Sequence, residues 1–284
     1  MATNKISKLT IPSLREFDFQ IKYTETNRSS HTYEIDLHSH DEFEIYINLS
    51  GDVSFLVENN LYSISRGDAI IARPGEIHHC IYRSDATHKL FWILFDCKTN
   101  PLIADFFLKY TGHNCVSPPE NLKNELLELG FTLLDNNLSY SDKLYYFLRL
   151  LKILEIGAQE NSRKKNALPS DFQQILDYID NHIGETLQIS DITEFFYISP
   201  STLERKFKKY VGLKPLEFIQ KKKLNMAAEL LRSGESVLNS GLAAGYTDSS
   251  YFIQLFNRMF GETPFQYQKR FQAQQKNIAR NAID

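Results

Sequence analysis

Cysteine is scarce: Cys80, Cys97 and Cys115 are the only three in 284 residues. They are odd in number, widely spaced and form no Cys-x-x-Cys pair, so neither a disulfide framework nor a zinc finger is expected. Long apolar runs are absent as well. The densest stretch, Phe91-Trp92-Ile93-Leu94-Phe95, has the length of a buried strand and falls far short of the ~18 residues a spanning helix needs. The first ten residues hold no apolar core segment, so no secretory signal is read there and a reduced cytoplasm is the expected compartment. Net charge is only −3, which gives the whole chain no strong field of either sign. What is present is ordinary for a globular protein: 42% hydrophobic and 24% charged residues, with 20 Phe and 15 Tyr. At roughly 100–200 residues per domain the length predicts two domains.

The weak net charge conceals an asymmetry. Residues 170–284 carry 14 Lys and Arg against 13 Asp and Glu, while residues 1–169 carry 18 against 22. The positive charge of the C-terminal part is clustered, as Arg205-Lys206, Lys208-Lys209 and Lys221-Lys222-Lys223. A solvated helix face explains such clusters as well as a phosphate-binding surface does, until the surrounding pattern is considered.

That pattern changes period along the chain. Phe43–Ile47, Val53–Val57, Leu61–Ile64 and Ala69–Ala72 read as short strands separated by Asn59-Asn60, Arg66-Gly67-Asp68 and Pro74-Gly75, the spacing of a small barrel or double sheet. From about Pro118 the apolar residues recur at helical steps, first Leu122, Leu126, Leu127 and Leu129, then, from Asp142, Leu144, Phe147, Leu148, Leu151 and Leu154. This leucine stripe fits packing on the barrel and a helix-paired dimer seam equally. Asn161–Asn166 is polar and charged and reads as a linker. The expected boundaries are 1–115 for the strand-rich domain, 116–160 for a helical hairpin, 161–169 for the linker and 170–284 for an all-helical domain.

The helical domain contains a repeat at an offset of 49. Phe207 matches Phe256, Gly212 matches Gly261, Pro215 matches Pro264, Phe218 matches Tyr267, Tyr197 matches Tyr246 and Ser201 matches Ser250. A period of this size marks a duplicated supersecondary unit. Each copy, about 190–210 and 237–260, reads as a short helix, a tight turn and a second helix. Ser190 is the expected cap of the first short helix, and Ser199 and Asp248 cap the second helices, with Pro200 at the first helical position. Ser170-Asp171-Phe172-Gln173 reads as a capping box in front of the first copy. A helix from Pro215 to about Arg232, ~27 Å at 1.5 Å per residue, joins the copies. Gly241 inside the short helix of the second copy should cost ~1 kcal/mol relative to alanine.

The strand-rich domain carries His38-Ser39-His40 with Glu44 four residues on, and His78-His79 beyond the Pro74-Gly75 turn. Two imidazoles, a nearby carboxylate and a distant imidazole form a ligand set for a first-row divalent metal, and alternation on a strand would put His38 and His40 on one face.

The last hundred or so residues resemble the DNA-binding domain of the AraC/XylS family of transcription regulators. The resemblance rests on Ser199-Pro200-Ser201-Thr202-Leu203-Glu204-Arg205-Lys206-Phe207-Lys208-Lys209 with Gly212-Leu213-Lys214-Pro215, and on Ala243-Ala244-Gly245-Tyr246-Thr247-Asp248-Ser249-Ser250-Tyr251-Phe252 with Gly261-Glu262-Thr263-Pro264. It implies two helix-turn-helix units in successive major grooves of double-stranded promoter DNA. By position, Ser201, Thr202 and Arg205 in the first unit, and Ser249, Ser250, Tyr251 and Gln254 in the second, would read base edges. Lys206, Lys208, Lys209 and Arg258 would hold phosphates. Arg to guanine is the commonest specific contact, and Gln suits adenine. The histidine spacing resembles the cupin barrel, to which the sensor domain of many such regulators is similar.

The implied architecture is multidomain α+β: a cupin-like jelly-roll barrel with appended dimerisation helices, followed by an all-α domain. The implied function is a homodimeric regulator that answers a small molecule, a sugar or related metabolite, and meets RNA polymerase at the promoter, with no membrane and no required cofactor. His38, His40, Glu44, Tyr46, His78, His79 and Trp92 would line the effector pocket. Three readings of the histidines stay open: a divalent metal on His38, His40, Glu44 and His78, polar lining of a ligand pocket, and histidines satisfied within the core. The competing function is a metal-dependent cupin enzyme, an oxygenase or isomerase, with a helical appendage.

Overall fold

The computed structural model describes residues 5–11, 17–26, 37–95, 114–160 and 168–281. It divides into two compact units, Met1–Ala167 and Leu168–Asp284. Cys97, and the stretch 161–167 within the expected linker, lie outside the described residues.

In the first unit short apolar strands pair into two antiparallel sheets. The larger runs in the order β1 (Lys5–Ile11), β2 (Phe17–Thr26), β8 (His88–Phe95), β3 (Phe43–Ser50), β6 (Ala69–Ala72), β9 (Cys115–Val116). The smaller runs β5 (Asn60–Ile64), β4 (Val53–Val57), β7 (His78–Tyr82). The hairpin between β4 and β5 turns at Glu58-Asn59, one residue earlier than the sequence indicates, with Glu58 at φ +51°. The two-residue period of β3 explains how both its faces are buried. Tyr46 joins Val53, Phe55, Cys80 and Leu90 in a core between the sheets. Ile45 and Ile47 join Phe91 and Ile93 on the opposite face.

That opposite face is covered by α1 (Glu120–Leu133) and α2 (Tyr140–Glu160). Phe147 stacks on Phe19 at 4.3 Å, and Leu126, Leu133, Leu150 and Leu154 are fully buried in the same cluster. A side chain of this kind contributes ~1.5–3 kcal/mol when buried. Most of the leucine stripe is therefore committed to the barrel. Leu148 is not: it is 48% exposed, beside Tyr145 at 64%.

The second unit is helical among its described residues: α3 (Ser170–Asn181), α4 (Ile189–Phe195), α5 (Pro200–Tyr210), α6 (Pro215–Arg232), α7 (Val237–Ala243), α8 (Ser249–Phe260) and α9 (Pro264–Asn281). Phe172, Phe207 and Phe218 pack ring to ring around the first helix-turn-helix. Leu224, Leu231, Phe252, Phe256 and Tyr267 form the core of the second. The long helix α6 contributes to both.

Three local expectations change. Ser170 lies inside α3, whose N-cap is Pro169 with no side-chain cap, so the expected capping box does not form. Helix α4 starts earlier than Ser190 indicates: Gln188 is its N-cap, and the Asp191 carboxylate accepts the Gln188 N–H at 2.7 Å. Gly241 is buried against Phe252, where an added Cβ would lie 2.9 Å from the ring. Its lost helix propensity is the condition for the close approach of α7 and α8.

The offset of 49 also breaks at the turn. Helices α4 and α7 are related by 48 residues, whereas the caps Ser199 and Asp248 are related by 49. The second turn is thus one residue longer. Tyr197 and Gly245 occupy the same left-handed position, at φ +52° and +76°. The residue after each, Ile198 or Tyr246, closes the helix end on the carbonyl five residues back, Thr193 or Gly241. Tyr246 therefore corresponds to Ile198, not Tyr197, which explains why Tyr246 is buried and Tyr197 is 95% exposed.

Candidate functional site

The second unit presents two equivalent helices to solvent. Ser199 Oγ accepts from the Thr202 N–H at 3.2 Å, and Pro200 supplies a preset φ at the first position of α5. Asp248 accepts from the N–H groups of Ser250 and Tyr251 at 2.8 and 3.1 Å, which launches α8 in the same way. Leu203 and Phe207 on α5, and Phe252 and Phe256 on α8, face inward. The helical period then turns Ser201, Arg205 and Lys209 outward on one helix and Ser250, Gln254 and Arg258 outward on the other. These two exposed triplets are related residue for residue by the offset of 49.

The remaining positions divide. Arg205, Lys208, Ser249 and Gln254 are exposed, and Thr202 is half-buried with its hydroxyl 2.9 Å from Ser199 Oγ. Ser201 Oγ is also 2.9 Å from Ser199 Oγ, so both hydroxyls belong to one capping network. Lys209 lies 5.0 Å from the centroid of the Tyr210 ring. Tyr251 is 46% exposed, and its hydroxyl accepts from Gln220 Nε2 at 3.2 Å. Lys206 is half-buried, and its ammonium is paired with Asp171 at the start of α3. A contact across 35 residues has no local sequence signal.

In the first unit four donor side chains converge. His38 and His78 form an antiparallel bridge, with backbone hydrogen bonds of 3.1 and 2.8 Å. The Gly75 N–H donates to the His40 carbonyl at 2.9 Å, which is the structural use of the Pro74-Gly75 turn. Glu44 comes from β3. One ligand-type atom from each of His38, His40, Glu44 and His78 lies within 4.8 Å of all the others. The two inner groups are buried, Glu44 with a 6% exposed side chain and His78 with 0%, while His40 is 21% exposed.

Burial alone would raise the Glu44 pKa. The charge of His78 and the contact with His40 outweigh it and hold the carboxyl well below the usual carboxylate range. Burial would likewise lower His78, and the Glu44 charge reverses this and raises it.

The other barrel candidates lie elsewhere. His79, next to His78, alternates to the opposite face of β7 and is outside the cluster. Tyr46 is fully buried in the inter-sheet core, edge-on to half-buried Trp92 at 4.8 Å. Phe55 lies between Trp92 and His78, at 6.4 and 6.2 Å, so an aromatic wall runs up to the histidines. Sequence reasoning passed over Phe55, whose alternation in β4 carries the signal.

A double-sheet domain followed by two capped helix-turn-helix units defines a class, the two-domain transcription regulators. The sequence matches the family described as "AraC-like ligand binding domain" over residues 26–142 and that described as "Helix-turn-helix domain" over residues 192–270. The chain belongs to the AraC family of DNA-binding transcription regulators. It is similar to the HTH-type transcriptional activator RhaR of Mannheimia succiniciproducens, with 27% identity over 83% of this chain and 87% of that protein. It is also similar to the activator RhaS of Escherichia coli, with 26% identity over 80% and 85%. Among solved structures, the C-terminal domain of AraT, a response regulator from Geobacillus stearothermophilus, covers 37% of this chain and 88% of its own at 27% identity and a TM-score of 0.36.

Proposed function

We propose that the chain is a homodimeric, cytoplasmic regulator that reads two sub-sites in promoter DNA and is controlled by a small polar effector in the first unit. The observation that carries this reading is the pair of exposed triplets, Ser201/Arg205/Lys209 and Ser250/Gln254/Arg258, on two identically capped helices. Arg205 and Gln254 read bases, aided by Ser201, Thr202, Ser249, Ser250 and Tyr251, and Lys208, Lys209 and Arg258 hold phosphates.

Effector control is assigned to the first unit because it matches the ligand-binding family and brings aromatic side chains, Trp92 and Phe55, up to His78. An aromatic face next to hydrogen-bonding groups suits a sugar or related metabolite. The output is activation through RNA polymerase, in keeping with the similarity to activators. The enzyme alternative accounts for the first unit and leaves the two reader helices without a purpose.

The test is in vitro selection of genomic fragments by the full-length protein at fixed salt. Recovery of a motif with two sub-sites about one helical turn apart supports the reading. If neither the full-length protein nor residues 168–284 enriches any sequence, the reading is overturned.

A further inference from the structure

We infer that His38, His40, Glu44 and His78 bind a divalent first-row transition-metal ion in the first unit. The inference goes beyond DNA recognition and stands independently of it.

The first argument is spacing. Donors bound ~2.0–2.2 Å from a tetrahedral zinc-type ion lie roughly 3.3 Å from one another. His40 Nε2 is 2.9 Å from Glu44 Oε2, and His78 Nε2 is 3.5 Å from the same oxygen. These two donor pairs bracket that distance, and one donor atom from each of the four side chains lies within 4.8 Å of all the others. Three imidazoles and one carboxylate form a donor set suited to Zn²⁺, Co²⁺, Ni²⁺ or Fe²⁺.

The second argument concerns hydrogen. His78 Nδ1 lies 2.8 Å from the Glu76 carbonyl, and His40 Nδ1 lies 3.0 Å from the Glu42 carbonyl. A carbonyl only accepts, so each Nδ1 is a donor and each Nε2 is turned inward, toward Glu44 Oε2. His78 Nε2 and Glu44 Oε1 are buried and have no hydrogen-bond partner among the described residues. Buried polar atoms left this way are costly, and one dication placed beside them supplies a partner to both. Backbone carbonyls that fix the outer nitrogens of ligating histidines are the usual support of such a site.

The third argument is preorganisation. The four side chains hang from independently fixed backbone: the His38–His78 bridge, the Gly75-to-His40 hydrogen bond, and β3 between β6 and β8. The site therefore exists before an ion arrives. Its inner wall is His78 and Glu44, and its half-buried wall, His38 and His40, is where an ion enters.

The test uses the full chain, stripped with EDTA and dialysed, and Co²⁺ as a spectroscopic probe. Expected are one Co²⁺ per chain, visible d–d bands, displacement by Zn²⁺ and a rise in Tm that EDTA reverses. Glu44→Gln and His78→Gln, checked for folding by circular dichroism, should weaken binding more than tenfold. The half-buried His40→Gln keeps the test decisive if the buried variants fail to fold, and it should weaken binding to the same degree. His182→Gln, in the other unit, should leave it unchanged. Absence of stoichiometric uptake overturns the assignment, as does uptake insensitive to His40→Gln. DNA binding measured on the same samples separates this result from the regulator reading.

Discussion

Gly245 rests directly on the carbonyl of Glu185. A Cβ added at Gly245 would lie 2.4 Å from that oxygen, and the glycine holds φ at +76°. Lys223 Nζ donates to the same carbonyl and stands over the Tyr246 ring at 5.7 Å. The loop after α3 thus touches the turn of the second helix-turn-helix, and Gly184 repeats the contact, its Cβ position lying 2.8 Å from the Ala243 carbonyl. The two reader units are joined by this contact as well as by the long helix α6. Their spacing on DNA is therefore held at two points.

Gly245→Ala strains the contact twice. The left-handed backbone costs ~1–2 kcal/mol for a residue with a Cβ. The steric contact is with backbone, which cannot rotate away. We expect residues 168–284 to fold as an isolated fragment and Gly245→Ala to destabilise it by about 2–4 kcal/mol in urea unfolding. A change below ~0.5 kcal/mol, the range of ordinary surface substitutions, would mean that the turn is free to move.

Arg205 and Gln254 hold the same position on the two reader helices. Arg205→Ala should cost ~1–3 kcal/mol on specific DNA and relax preference at one position of one sub-site. Gln254→Arg should shift the equivalent position of the other sub-site from adenine toward guanine. Selection with each variant reads both outcomes. If the motif stays the same with Gln254→Arg, α8 does not read bases through this face.

Much of this surface is legible in the sequence because it is local. The caps Ser199 and Asp248 lie within three residues of what they bond, and the inward pairs Leu203/Phe207 and Phe252/Phe256 follow the helical period. The histidine cluster is legible for a related reason: His38, His40 and Glu44 are close in sequence, and His78 follows a glycine turn. What fails is set by distant packing. Asp171 reaches Lys206 across 35 residues, and no spacing rule announces it. Gly241 looks like a helix defect until the Phe252 ring is placed against it. The extra residue in the second turn is hidden because Tyr197 and Tyr246 match by letter while their backbones do not. The inward turn of His40 Nε2 and His78 Nε2 toward Glu44 needs coordinates, since spacing does not say which nitrogen of each ring faces inward.

The pairing of Lys206 with Asp171 separates two lysines that composition treats alike. Lys209 is exposed on the reader face, whereas Lys206 is half-buried with its ammonium paired to Asp171. Lys209→Ala should weaken binding uniformly across sequences and lower the salt slope by about 1. Lys206→Ala should leave the slope closer to that of the unsubstituted protein. Titrations on one operator at several salt concentrations decide the matter, and equal losses for the two variants would show that DNA displaces Asp171.

Tyr145 and Leu148 leave an apolar strip on the outer side of α2, while the inner side is spent on the barrel through Phe147, Leu150 and Leu154. Residues three apart on a helix share a face, so the strip is continuous. Paired with a second copy, it would be removed from water, and the carboxylates of a Tyr145→Glu/Leu148→Glu variant would be buried there without partners. We expect light scattering to give twice the 33.0 kDa chain mass for the natural sequence and one chain mass for the double variant. Circular dichroism should be unaltered, because neither side chain enters the core. DNA affinity should fall for sites with two half-operators and stay constant for a single half-operator. A double variant that remains dimeric would place the dimer seam elsewhere on the chain.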